Sequence, residues 1–194
     1  YPSFKRIPKM KFLPKTKIIG DLIFRILRPI CNKININPKY AGIFKYGNNI
    51  AEAFFLQRSF MFKEDIKNII SPQTLRNGFD ELNLFDDINN DLKDFEDIKL
   101  AIMYLEIKYY LSPKLLRDAD WTSMSNSTEL RTPFVDWFFF KQLLPLIKSN
   151  INVSKKNLFE CFKMDLPNVL KNRKKTGFVI PHKYLYETIA NKQV

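Results

Sequence analysis

The run Asp118-Ala-Asp-Trp-Thr-Ser-Met-Ser-Asn-Ser-Thr-Glu-Leu-Arg-Thr-Pro-Phe-Val-Asp136 gathers acids, hydroxyls, one amide and one arginine without any repeat. An amphipathic helix needs only an apolar stripe and a generally polar face, so this density of specific polar groups asks for another reason. Thr132-Pro133 pushes the residue before proline out of the helical region, and the chain must turn at Arg131 and Thr132. That turn presents Glu129 and Arg131 at the end of an element, where binding groups concentrate. Arg131 can grip a carboxylate through two parallel hydrogen bonds, a geometry lysine cannot reproduce. The competing reading is a structural ion-pair network of Asp120, Glu129, Arg131 and Asp136 around a helix junction.

Outward from this run the spacing is helical. Upstream, Ile98, Ala101, Ile102, Leu105 and Tyr109 form one stripe, with Asp94, Glu96 and Asp97 at its positive end, and the helix should reach about Leu111. Ser112-Pro113 repeats a start signal also present at Ser71-Pro72, serine as N-cap and proline at the first helical position, and a further helix should run from Pro113 towards the polar run. Asp80 to Asp97 is expected to be an acidic polar connector. Tyr40 to Phe62 should be one long or broken helix, with the break near Gly47 and Asn48, followed by a short helical segment from Lys63 to Ile70. Leu22, Ile23, Ile26 and Leu27 give a helix from Gly20 that Pro29 should limit. Residues 1–18 are basic, without an acid, and carry Pro2, Pro8 and Pro14, which predicts an extended or turning lead-in. Downstream, Asp136 to Ile147 reads as a buried helix with Phe139, Leu143 and Leu144 inward. Ser154 should cap a helix through Phe162, Leu166-Pro167 a short one to Lys171, and Pro181 the last. No strand shows clear alternation, and the fold class is all-α.

The 194 residues, 45% hydrophobic, suffice for one domain with a real core, to which 18 Phe, 8 Tyr and 2 Trp bring large buried areas. No apolar run reaches the roughly 18 residues a bilayer span requires. Cys31 and Cys161 fit no CxxC pattern, and a reducing, cytoplasmic setting is expected. His182 is the only histidine, so serine–histidine, cysteine–histidine and multi-histidine metal chemistry lack their parts. No metal ligands are assigned. The net charge of +12 suits an anionic partner, whether nucleic acid, anionic lipid or polyphosphate, though scattered surface lysines account for it equally well.

A second segment, Asn172-Arg-Lys-Lys-Thr-Gly-Phe178, joins the first. Asp120, Ser123-Met124, Asn126-Ser127, Glu129-x-Arg131 and Pro133-Phe134-Val-Asp136, together with Arg173-x-Lys175-x-Gly177-Phe178 and Pro181, resemble the synthetase domain of the glutamine-hydrolysing asparagine synthetase family. Tyr1-Pro2 is similar to the close of that family's Gly-Gly-Asp-Glu-Leu-Phe-Gly-Gly-Tyr-Pro loop. Trp121 stands where many members have arginine, and resembles the branch acting on surface-polysaccharide precursors.

The resemblance implies the helical C-terminal part of an α/β adenine-nucleotide α-hydrolase-like (ATP pyrophosphatase) domain. Residues 1–19 would be a basic connector following the ATP-binding half, and residues 20–194 the helical part. It implies an ATP-dependent carbon–nitrogen ligase that activates a carboxylate, aspartate above all, as an acyl-adenylate and amidates it with glutamine-derived ammonia. Lys175 is the implied catalytic lysine over the phosphates, with Lys174, Lys156 and Ser123 near ATP or pyrophosphate, and Arg131 and Glu129 at the substrate. ATP and Mg2+ would be bound mainly by the preceding half. The implied partners are these small molecules and a glutaminase domain of the same longer chain, with a homodimer compatible and neither membrane nor nucleic acid expected. The stretch alone should be inactive. The alternatives are a non-catalytic basic helical module binding nucleic acid, and a related amidotransferase acting on a polysaccharide precursor.

Overall fold

A computed structural model describes residues 3–11, 17–149, 161 and 167–171, and among them there is no strand. The chain divides into two compact units, Tyr1–Asp136 and Trp137–Val194.

In the first unit, α1 (Ser3–Lys11) lies inside the stretch expected to be extended, and carries Pro8. Proline in a helix interior removes a donor and costs about 3 kcal/mol. Here tertiary packing overrides that cost: Ile7 is wholly buried, and Phe4 and Met10 pack against the same core. Helix α2 (Lys17–Lys33) likewise runs through Pro29 instead of stopping there. Its inner face carries Phe24, which meets Tyr46 and Phe62 edge-on at 6.3 and 5.5 Å. Gly20 makes this approach possible, since a Cβ at that position would lie 2.6 Å from the carbonyl oxygen of Phe44.

A 3-10 turn (Pro38–Gly42) leads into α3 (Ile43–Tyr46), and after a break at residues 47–49 Asn49 caps α4 (Ile50–Arg58). This is the broken helix that the sequence suggested. Then come α5 (Lys63–Ile66) and α6 (Pro72–Leu82), the latter starting where Ser71-Pro72 places it, with Ser71 Oγ accepting from the Thr74 amide at 3.1 Å. Residues 80–97, expected to be a connector, instead hold α7 (Leu84–Asp91). Leu84, Phe85, Ile88 and Leu92 recur at helical spacing between the acids and pack on the core, an apolar pattern that the surrounding charge masks.

Helix α8 (Ile98–Glu106) is capped by Asp97, whose Oδ1 accepts from the Lys99 and Leu100 amides at 2.6 and 3.2 Å. Ala101, Ile102 and Leu105 are buried as their stripe requires. Ser112-Pro113 does not restart a helix. The chain continues as a π-helix (Ile107–Leu116) that contains Pro113 and passes into α9 (Arg117–Met124). The wider π turn relieves the clash between a proline ring and the carbonyl four residues back, so the start signal is overridden by continuity.

In the second unit, α10 (Trp137–Lys148) follows the expected helix, with Phe139, Leu143 and Leu144 half-buried and Phe138 exposed. The short α11 (Asn168–Lys171) falls where Leu166-Pro167 places it. The expected helix from Ser154 to Phe162 and the one opened by Pro181 lie outside the described residues. Among the described residues no helix is long and apolar enough to cross a membrane.

Candidate functional site

The platform beneath the polar run is the π-helix, and it is pinned on two sides. Arg58, at the end of α4, pairs with Glu106 and lays its guanidinium 3.6 Å from the centre of the Tyr110 ring. Asp91, at the end of α7, accepts from Lys108 Nζ at 2.6 Å and from Tyr109 Oη at 2.7 Å. The Lys108 ammonium beside it holds the Asp91 carboxyl below its ordinary value, with Tyr109 adding to the effect. Burial, reinforced by Asp91, pushes Tyr109 up to about 12. Glu106 is 2% exposed, and a carboxylate at such depth must be paired.

From that platform α9 projects the first half of the run into solvent. Its hydroxyls have local tasks. Thr122 Oγ1 donates to the Asp118 carbonyl at 2.6 Å, Ser123 Oγ to Asp120 at 3.0 Å and Ser125 Oγ to Thr122 at 2.8 Å. Asn126 Nδ2 donates to Thr122 as well, at 3.1 Å. Side chains bonding back to carbonyls three and four residues earlier bring a helix to its end. Ser127 then adopts φ 54°, in the left-handed region that costs a non-glycine residue about 1 kcal/mol. The Thr128 amide closes the turn on the Ser123 carbonyl at 3.1 Å. Much of the polar density that marks this run therefore ends a helix and shapes a strained turn.

The charged side chains are free of that duty. Arg131 Nε and Nη2 donate to Glu129 Oε1 and Oε2 at 2.9 and 3.1 Å, a fork-on-fork pair. Thr132 leaves the helical region at φ −118° and ψ 81°, and a 3-10 turn (Pro133–Val135) follows. The pair stays open to solvent, Arg131 83% and Glu129 66% exposed by side chain. Leu130 and Phe134, also exposed, flank it along the chain.

Of the residues singled out by sequence, Glu129 and Arg131 are thus brought together. Ser123 is half-buried, and its hydroxyl proton is already given to Asp120, so donation to a phosphate requires giving up that bond. Lys156, Lys174 and Lys175 lie outside the described residues, as do Tyr1 and Pro2. Sequence reasoning passed over Arg117, whose guanidinium sits 4.9 Å above the Trp121 ring and contacts Asp118 at 3.3 Å. The four-residue spacing of arginine and tryptophan on one helix was the available signal. Among the described residues no three His, Cys, Asp or Glu side chains come together as a metal site.

A family model described as asparagine synthase matches residues 56–193. Asparagine synthetase [glutamine-hydrolyzing] 1 of Bacillus subtilis (strain 168) is 25% identical over 146 residues, covering 69% of this chain. The chain spans 21% of the length of that relative. No solved structure matches.

Proposed function

This chain belongs to the asparagine synthase family, and from that premise we propose that it contributes part of the synthetase site of an ATP-dependent carbon–nitrogen ligase. The supporting observation is that the family match contains both the exposed Glu129–Arg131 fork and the Arg173-Lys-Lys175 segment.

In the proposed reaction a substrate carboxylate, aspartate in the first instance, attacks the α-phosphorus of ATP. An acyl-adenylate forms and pyrophosphate leaves. Ammonia, supplied by glutamine hydrolysis in a glutaminase domain of the same longer chain, then attacks the acyl carbon and displaces AMP. Negative charge grows on the departing pyrophosphate, and a fixed cation beside it lowers the barrier because its orientation is already set before reaction. Lys175 is assigned that role, with Lys174, Lys156 and Ser123 as neighbours of the phosphates.

Arg131 is assigned to the substrate carboxylate. A guanidinium has five N–H donors, and Glu129 takes up only part of them while fixing the plane of the fork. The remaining donors can meet a second carboxylate in a bidentate manner. Mg2+ is expected to accompany ATP and to be bound mainly by the preceding half of the domain. A sugar acid in place of aspartate is the variant reading, suggested by Trp121, whose exposed indole offers a flat apolar face.

The test is aspartate-dependent exchange of pyrophosphate into ATP by the full-length protein. Lys175→Met should lower the exchange rate roughly 100- to 1000-fold with unfolding unchanged. Near-normal exchange in that variant contradicts the assignment.

A further inference from the structure

Helix α2 is apolar on two opposite faces, which a helix lying on the edge of a domain does not need. One face, with Gly20, Phe24 and Cys31, packs inward. The other carries Ile18, Ile19, Leu22, Ile26 and Ile30, whose exposures run from 47% at Ile30 to 87% at Ile18. At 100° per residue these five occupy an arc of about 120°. The arc contains no acid. Its charged members are Lys33 within it and Arg25 at its rim, both exposed. The one acid of the helix, Asp21, lies off the arc and pairs with Lys45 at 2.8 Å.

Aliphatic side chains fringed only by cations are what an interfacial helix offers to an anionic bilayer surface. Charge also separates this occupant from a second copy of the chain. Two such faces in contact would bring arginine and lysine against their own kind, whereas anionic headgroups neutralise them. A chain of net charge +12 carries the same preference at longer range. We infer that the outer face of α2 is a peripheral docking surface for anionic lipid, lying flat in the headgroup region without spanning it. This goes beyond the ligase reading and departs from the expectation that no membrane takes part.

The inference is tested by flotation of the full-length protein with vesicles of phosphatidylcholine alone, and of phosphatidylcholine mixed in equal parts with phosphatidylglycerol. Binding should appear with the mixed vesicles only and disappear near 1 M salt, where the screening length is about 3 Å. Lys33→Gln should weaken it about fivefold, and the double variant Leu22→Glu, Ile26→Glu should abolish it. Because both of those residues point into solvent, the double variant should keep the wild-type circular dichroism and pyrophosphate exchange. Three outcomes overturn the inference: no flotation of the wild-type protein, equal flotation of the double variant, or an Ile26→Cys thiol shielded from a soluble maleimide by another part of the protein or a second copy. Loss of exchange by Lys175→Met bears on the ligase reading alone and leaves this result untouched.

Discussion

Arg58 and Glu106 meet where the end of α4 reaches α8, the carboxylate 2% exposed and the guanidinium also stacked on Tyr110. Arg131 and Glu129 meet two residues apart in a surface segment, 83% and 66% exposed. The residue types are the same and the surroundings opposite. In the first pair the carboxylate has left water, and it is tolerable there because the guanidinium is present. In the second pair water screens the attraction, which contributes little to stability, typically between 0 and about 1 kcal/mol. A bidentate pair kept on the surface adds little to the fold, which is what the proposed binding role of Arg131 requires.

The comparison breaks most readily at the buried pair. Arg58→Ala takes the guanidinium away from the buried Glu106 carboxylate, and should cost about 3 to 5 kcal/mol, read as a drop in the midpoint of chemical unfolding. A change under about 1 kcal/mol would make the two pairs equivalent and remove the contrast.

A smaller effect belongs to the cap of α8, the helix that carries Glu106. Asp97→Ala frees the Lys99 and Leu100 amides and should cost about 1 kcal/mol, with Asp97→Ser restoring much of it. Should Asp97→Ala leave stability unchanged, the position of Glu106 would not depend on how this helix begins.

Smaller again is the alkaline response of the aromatic core. Burial pushes the Tyr46 hydroxyl from 10.0 to about 12, so the folded state holds this proton more tightly than the unfolded state does. Stability from this group is fully present below 10 and declines as pH rises from 10 towards 12, because there the unfolded state loses the proton first. The decline should reach at most about 1 kcal/mol near pH 11, less whatever solvent screening removes. Unfolding curves of the wild type and of Tyr46→Phe between these pH values measure it, and parallel curves would contradict it.

Start signals in this sequence were readable where nothing continued across them. Ser71-Pro72 opens α6 because the chain before it has already left helical geometry. The identical dipeptide at Ser112-Pro113 does not, because a helix arriving from Asp97 is held in register by Lys108, Tyr109 and Tyr110 and widens into a π-helix instead. Pro8 and Pro29 misled for a related reason, since the burial of Ile7 and Phe24 is a tertiary fact that local propensity does not contain. In α7 the Leu84, Phe85 and Ile88 pattern was present, but short and crowded by aspartate and asparagine.

The candidate site was readable in its charged residues and less so in its hydroxyls. The Glu129–Arg131 pair was legible in the sequence, but the turn expected at Arg131 and Thr132 comes instead at residues 125–127 and in the 3-10 turn Pro133–Val135. The serines and threonines looked like ligand groups, yet several donate to the carbonyls of their own helix. The Arg117–Trp121 stack lies on the helix expected from Pro113 towards the polar run, and its four-residue spacing was legible but went unused.

Arg131→Ala in the full-length protein tests the central claim most directly, with thermal unfolding and aspartate-dependent pyrophosphate exchange measured on the same preparation. The surface pair being functional, unfolding should shift by no more than the equivalent of about 1 kcal/mol while exchange falls at least tenfold. Exchange at the wild-type rate, or a loss that simply follows a collapse in stability, would contradict it.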